Sequence, residues 1–177
     1  ETFLDCGIVY DMGAEQIALT PGIMGSFLEK DQAGKLQLDQ EGRIIVSKEA
    51  VAAWVENLAL QYDTCGTTKE FQSTRGDVVS VKYVTYGTQL DQEAETEYLM
   101  EILVKEGRRE DVHMPEYLQQ GYVRGLDDIG GTYIEIDMTE QHLYYYVDGE
   151  LKLDTDIVTG NLSTRHGTPQ GINFVYN

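Results

Sequence analysis

The chain has 177 residues and a formal net charge of -18, from 31 acidic against 13 basic side chains. That balance argues against nucleic-acid binding and against a polybasic membrane contact, both of which need cations facing phosphate. The length suits one large domain or two modest ones, an apolar share of 41% can build a core, and no apolar run approaches the ~20 residues that span a bilayer.

Taken in chain order, the first clear element is a helix. Ser47 is a candidate N-cap, and Val51, Trp54, Val55, Leu58 and Tyr62 fall on one face of residues 48–62. Gly66 and the Thr67-Thr68 pair end it. Val79, Val81 and Tyr83 then alternate with Ser80 and Lys82, the period of a strand, and Gly87 closes it. Asp91 caps a second helix over 92–105. Ala94, Tyr98 and Ile102, with Leu99 and Leu103 beside them, form its apolar side. Glu93, Glu95 and Glu97 crowd its start, where the helix dipole favours negative charge, and Lys105 and Gly107 suit its end.

Residues 121–131 hold four glycines, adjacent aspartates at Asp127 and Asp128, and no periodicity, which reads as a linker. Beyond it Ile134, Ile136 and Met138 alternate with polar neighbours, and Leu143, Tyr145 and Val147 do the same. Asp148-Gly149 between alternating runs signals a two-residue type I′ hairpin turn, which needs positive φ. Leu151, Leu153 and Ile157-Val158 form the return strand. Pro169 and Gly171 punctuate a loop before a short strand over Ile172 to Tyr176. No internal repeat or low-complexity tract is read. These elements give an α+β chain ending in an antiparallel meander.

Candidate chemistry is sparse. Cys6 and Cys65 fit either a disulfide or two separate thiols. His113, His142 and His166 are scattered without the spacing of a zinc site. Asp39-Gln40-Glu41-Gly42 starts like a calcium loop, but Arg43 stands where an oxygen ligand is needed. Glu93, Glu95 and Glu97 are better explained as an acidic helix start than as paired catalytic carboxylates. The Tyr144-Tyr145-Tyr146 run should alternate between the two faces of its strand.

The C-terminal motifs occur in a specific order: Tyr133 to Asp137, Gln141-His142-Leu143, Asp148-Gly149, Val158-Thr159-Gly160-Asn161, and Thr168-Pro169-Gln170-Gly171. That order resembles the opening of an L,D-transpeptidase catalytic domain of the YkuD-like family. Within this resemblance His166-Gly167-Thr168 aligns with the Thr-Pro-x-Gly loop and not with the His-Gly-Thr found near the family's catalytic cysteine. Upstream, Trp54-Val55-x-x-Leu58, Tyr62-x-Thr64, Phe71-x-x-Thr74-x-Gly76, Tyr86-Gly87-x-x-Leu90-Asp91, Glu95 and Leu99 occur in order. They resemble the peptidoglycan-binding-type domain that precedes the catalytic domain in Gram-positive L,D-transpeptidases. The family pattern has Trp after Tyr-Gly, where this chain has Thr88.

The resemblance implies an α+β chain divided into a peptidoglycan-binding-type domain over 1–120, a linker over 121–131 and the first strands of an all-β catalytic domain over 132–177. It implies part of an enzyme that cross-links peptidoglycan stem peptides through a cysteine thiolate, with no metal or organic cofactor. The family's Ser-His-Gly-Cys motif is absent from this sequence, so no catalytic, cofactor-binding or metal-binding residue is assigned here. The implied partner is peptidoglycan and the implied location extracellular, at the cell wall, with a membrane anchor upstream of these residues. The alternative is a non-enzymatic cell-wall binding or structural module.

Overall fold

A computed structural model describes residues 7–104, 111–161 and 165–175. In chain order the elements are β1 (Ile8–Asp11), β2 (Gln16–Ala18), α1 (Pro21–Ser26), α2 (Lys48–Tyr62), β3 (Thr68–Gln72), β4 (Val78–Lys82), β5 (Gln89–Leu90), α3 (Gln92–Val104), β6 (Asp111–His113), β7 (Tyr117–Gln119), β8 (Tyr133–Asp137), β9 (His142–Val147) and β10 (Glu150–Asp156). This mixture of helices and small sheets is α+β. None of the helices in the described residues is long and apolar enough to cross a membrane.

The chain folds into two compact units: Glu1–Tyr62 with Gln89–Leu118, and Asp63–Thr88 with Gln119–Asn177. These units divide the chain elsewhere than the 1–120, 121–131 and 132–177 division expected from sequence. Residues 63–88 belong with the C-terminal strands, and the glycine-rich 121–131 stretch is part of the same unit.

In the first unit α2 and α3 pack together. Ser47 caps α2, accepting from the Ala50 amide at 3.3 Å, and Asp91 caps α3, accepting from Ala94 at 3.0 Å. Val51, Val55, Leu58 and Ala59 of α2 and Leu99, Ile102 and Leu103 of α3 are buried with Ile8, Tyr10, Met24 and Phe27. Burying one large apolar side chain of this kind contributes about 1.5–3 kcal/mol. Trp54 is only half-buried. It lies edge-on to Tyr10, with ring centroids 5.3 Å apart, and to Phe27 at 6.0 Å. A three-stranded sheet in the order β2-β1-β6 completes the unit, with β1 and β6 parallel and Tyr10 opposite His113. The expected end of the second helix, Lys105 and Gly107, lies outside the described residues.

Between α1 and α2 the structure reveals a repeat that composition and periodicity had not suggested. Residues 31–35 and 39–43 form the same turn. The Asp31 carboxylate accepts from the amides of Ala33 and Lys35 at 2.9 Å, and Asp39 accepts from those of Glu41 and Arg43 at 2.9 and 2.8 Å. Gly34 and Gly42 take positive φ at the same place, 79° and 78°. The flanking three-residue stretches 28–30, 36–38 and 44–46 close on one another cyclically. Glu29 N donates to Ile45 O, Gln37 N to Glu29 O, and Ile45 N to Gln37 O. The eight-residue spacing therefore builds a small pseudo-threefold array that delivers the chain to Ser47. Asp39 is no calcium ligand: its second oxygen accepts from the Arg43 guanidinium at 2.8 Å.

The second unit joins the β3–β4 hairpin to an antiparallel sheet in the order β10-β9-β8. The Asp148-Gly149 turn has positive φ at both residues, 51° and 79°, as a type I′ turn requires. The return strand ends at Asp156, with a register shift between Leu151 and Leu153. The expected strand over 172–176 is reduced to a single parallel bridge between Ile172 and Tyr83, and Tyr176 lies outside the described residues.

The register places Tyr133, Glu135, Asp137, His142, Tyr144 and Tyr146 on one face of this sheet. The β3–β4 hairpin covers that face. Phe71 meets Tyr133 edge-on at 5.6 Å, and Thr74 bonds to Glu135 and to the Tyr146 hydroxyl. The opposite face carries Ile134, Ile136, Tyr145 and Leu153, all exposed.

Asp128 anchors the unit. Its side chain is fully buried and accepts from the Tyr83 hydroxyl at 2.7 Å, the Thr64 hydroxyl at 2.6 Å and the Thr88 hydroxyl at 3.3 Å. Its carbonyl accepts from the Tyr86 hydroxyl. Thr88 also receives the Gly121 amide at 3.0 Å. The position where the family pattern carries Trp thus holds a buried hydroxyl that belongs to this network.

Candidate functional site

A concave region lined by hydrogen-bonding groups lies in the second unit. A tight turn joins β8 to β9. Asp137 sets it by accepting from the amides of Thr139 at 2.9 Å and Glu140 at 3.0 Å. These backbone bonds, led by that from Glu140, hold the Asp137 carboxyl below the usual carboxylate range. The turn ends at Gln141, which sits at φ 56°. Its side chain closes on the chain leaving β10. The Gln141 amide nitrogen donates to Met138 O and to Thr159 Oγ1, both at 2.6 Å, and its amide oxygen accepts from Thr159 N at 2.8 Å. Ile157 N donates to Gln141 O at 2.8 Å.

The next residue, Gly160, must be glycine, because a Cβ there would lie 1.9 Å from His166 O. Its amide donates to Thr168 Oγ1 at 2.8 Å. Together these residues line an open cleft of about 430 Å³ with Asn161 and Gln170. Among the described residues the lining offers amides, hydroxyls, main-chain groups and the Met138 side chain, and no charged side chain, although the chain as a whole carries -18. Such a surface can pair with the C=O and N–H groups of a neutral, amide-bearing ligand. The Thr-Gly-Asn and Thr-Pro-x-Gly motifs singled out in the sequence meet at this cleft.

The other sequence candidates lie apart from it. His142 is on the hairpin-covered face of β9, between two carboxylates of β10: Nδ1 is 3.0 Å from Asp156, and Nε2 bonds to Asp154. The bond to Asp154, followed by that to Asp156, raises its pKa above the ordinary imidazole value. A raised folded-state pKa means that this stabilisation is fully present below the unfolded value and is lost as pH rises through the folded one. An NMR titration of His142 should therefore show a midpoint above 6.5. Asp154→Asn should lower that midpoint, and an unchanged value in the variant would contradict the assignment.

His113 belongs to the first unit. Its Nε2 lies 2.8 Å from the buried Glu95 carboxylate, and its ring stacks on Tyr98 with centroids 3.7 Å apart. Glu95 also accepts from the Glu116 amide at 2.7 Å. Glu95 is therefore a core residue, while Glu93 and Glu97 on the same helix are exposed. Burial, with Glu95 beside it, holds the neighbouring Tyr10 phenol well above its ordinary pKa. His166 is exposed in its loop.

Cys65 is a half-buried free thiol, and Cys6 lies outside the described residues. Gln119 Nε2 donates to Cys65 Sγ at 3.2 Å. Burial, then Asp63 and Asp128, push the thiol pKa up, which disfavours the nucleophilic thiolate. Among the described residues, no group of three or more His, Cys, Asp and Glu side chains is placed to hold a metal ion. Tyr144 and Tyr146 share one face of β9 and Tyr145 the other, as strand geometry requires, and Tyr146 stacks on Tyr133 at 5.0 Å.

No family model and no curated protein matches the chain. Two solved structures do. A cysteine-to-serine mutant of Enterococcus faecium L,D-transpeptidase is 29% identical with a TM-score of 0.69, over 96% of this chain and 62% of that one. The Ldtfm-avibactam carbamoyl enzyme matches with the same identity, TM-score and share of this chain, and with 61% of its own length covered. The chain thus spans about three fifths of the length of these structures. Over nearly all of its own length it has an L,D-transpeptidase-like α+β fold.

Proposed function

We propose that these residues are part of an L,D-transpeptidase that cross-links peptidoglycan stem peptides, and that they supply wall binding and positioning but not the nucleophile. The reaction is acyl transfer. A cysteine thiolate attacks a stem-peptide carbonyl, the terminal residue leaves as its amine, and a thioester forms. The amine of a second stem then attacks the thioester, releasing the thiolate and forming the cross-link. Cys65 is unsuited to the first step, because its thiol is half-buried beside carboxylates. Neither Cys6 nor Cys65 lies in a Ser-His-Gly-Cys motif, so this reading assigns the nucleophile to polypeptide outside these residues. An extracellular, wall-associated location and a membrane anchor upstream follow from the same reading.

One observation carries it beyond the likeness in fold. The sheet β8–β10 leaves Ile134, Ile136, Tyr145 and Leu153 exposed on one face, and a sheet buries its apolar face against another layer. A further layer of the same enzyme is the occupant that this reading supplies. The uncharged cleft, with its amides and hydroxyls, is matched to the peptide bonds of a stem.

The test compares this chain with the longer polypeptide that this reading implies, each incubated with avibactam and with a tetrapeptide donor and followed by intact mass. The longer protein should form a cysteine adduct and turn over, and this chain should not. An adduct on Cys6 or Cys65 with turnover would overturn the assignment of the nucleophile. If the longer protein formed no adduct but still co-sedimented with sacculi, the enzymatic reading would fall and a cell-wall binding module would replace it.

A further inference from the structure

We propose that Arg75 is a positioning residue: from the tip of the β3–β4 hairpin it fixes the β8–β9 turn and, through Gln141, one wall of the cleft. The hairpin tip is itself well defined. Ser73 N donates to Asp77 O at 2.8 Å, and Gly76 takes positive φ. From this tip the Arg75 guanidinium spans three carboxylates: Nη2 to Asp77 at 3.1 Å, Nε to Asp137 at 3.0 Å and Nη1 to Glu140 at 3.0 Å. Asp77 lies on Arg75's own hairpin and orients the fork. Asp137 and Glu140 bracket the turn that ends at Gln141. A planar guanidinium can hold several oxygens in fixed directions at once, which an ammonium cannot.

From that turn the path continues without a gap. Asp137 organises the Thr139 and Glu140 amides. Gln141 follows in the left-handed region, a conformation that persists in a non-glycine residue only where its surroundings impose it. Its side chain exchanges two hydrogen bonds with Thr159, and Thr159 and Gly160 line the cleft. Without Arg75 the Asp137 and Glu140 carboxylates lose the cation between them, and the turn loses what holds it against its own charge.

The hairpin also has contacts with the sheet apart from this ion cluster. Phe71 packs against Tyr133, and Thr74 bonds to Glu135 and Tyr146. The role of Arg75 is therefore testable apart from folding. Its consequence for ligand binding rests on the cleft being the functional site, whereas the coupling can be read without any ligand.

The experiment is amide hydrogen exchange on the full chain, comparing wild type with Arg75→Gln, Arg75→Lys and Gln141→Ala. Arg75→Gln should speed exchange at Ile157, Thr159 and Gly160 by about tenfold, with the Tyr133–Glu135 and Phe71–Thr74 amides unchanged. Arg75→Lys should restore only part of the protection. Gln141→Ala should reproduce the change at 157–160 while leaving Thr74 protected. Raising the ionic strength should move wild type in the same direction, because the cluster is partly exposed. Unchanged exchange at 157–160 in Arg75→Gln would overturn the proposal. So would a uniform increase across β8–β10, which is what a merely structural residue would give.

Discussion

Asp128→Ala should destabilise the second unit by about 3–5 kcal/mol, a loss larger than most single substitutions cause. The carboxylate lies in the interior with three hydroxyl donors aimed at it, from Tyr83, Thr64 and Thr88. Alanine would leave all three buried without their acceptor, and each unsatisfied group costs about 1–3 kcal/mol before relaxation. Burial and the bond to Asp128 already hold the Tyr83 phenol far above its usual pKa, so it cannot escape the penalty by ionising. Asp128→Asn keeps the shape but turns an NH2 towards hydroxyl donors, and it should cost about 2 kcal/mol. Tyr83→Phe, which removes one donor together with its need for a partner, should soften the alanine defect, so that the double variant loses less than the sum of its parts. Urea unfolding of the four proteins measures this. A loss below about 1 kcal/mol in Asp128→Ala would mean that water replaces the carboxylate at little cost.

This network also explains why residues 121–131 read as a linker. Glycine there signals close packing and not freedom. A Cβ on Gly121 would lie 2.7 Å from Asp128 Cβ, and one on Gly131 would lie 2.7 Å from Gly149 N. Sequence periodicity cannot separate a glycine that lets the chain flex from one that lets two strands of backbone touch. Where an element is long enough to show its period, the sequence was informative. Helix α2 has the expected bounds, and the β8–β10 meander and its Asp148-Gly149 turn form as read, except that the return strand stops at Asp156, short of Ile157-Val158. The strands that were missed are β1, β2, β3 and β5 to β7. All but β3 have two to four residues, too few for an alternation to register, and β3, Thr-Lys-Glu-Phe-Gln, has five residues but a single apolar side chain. One of their pairings joins Tyr10 to His113, which no local pattern encodes. His113 seemed alone because Glu95 reaches it only through the fold. The turn repeat at 31–35 and 39–43, Asp-Gln-x-Gly followed by Lys or Arg, was not read from the sequence, because two copies of five residues are too short to stand out as a repeat. The cleft was half legible: its Thr-Gly-Asn and Thr-Pro-x-Gly motifs stand out, but the reciprocal bonds between Gln141 and Thr159 depend on a positive φ that glutamine does not announce.

A chain ended after Gln120 should keep the first unit folded and lose the structure of residues 63–88. The first unit has its own core, from Ile8 and Tyr10 to Val51, Val55 and Leu99, and none of those residues lies beyond 120. The β3–β4 segment has its partners on the far side of that cut. Thr64, Tyr83 and Thr88 bond to Asp128, and Lys69 pairs with Asp127. Phe71 packs on Tyr133, Thr74 bonds to Glu135, and Arg75 pairs with Asp137 and Glu140. A two-stranded hairpin deprived of its sheet is marginal in water. Exchange at the β3–β4 ladder amides should therefore rise by about two orders of magnitude in the shortened chain, while amides of α2 and α3 stay within a few-fold of their rates in the full chain. If the boundary near 120 is a domain border, both regions will keep their protection. Full protection of residues 68–82 in the shortened chain would show that the hairpin belongs to the N-terminal unit after all, and that its bonds to Asp128, Asp137 and Glu140 are incidental to its stability.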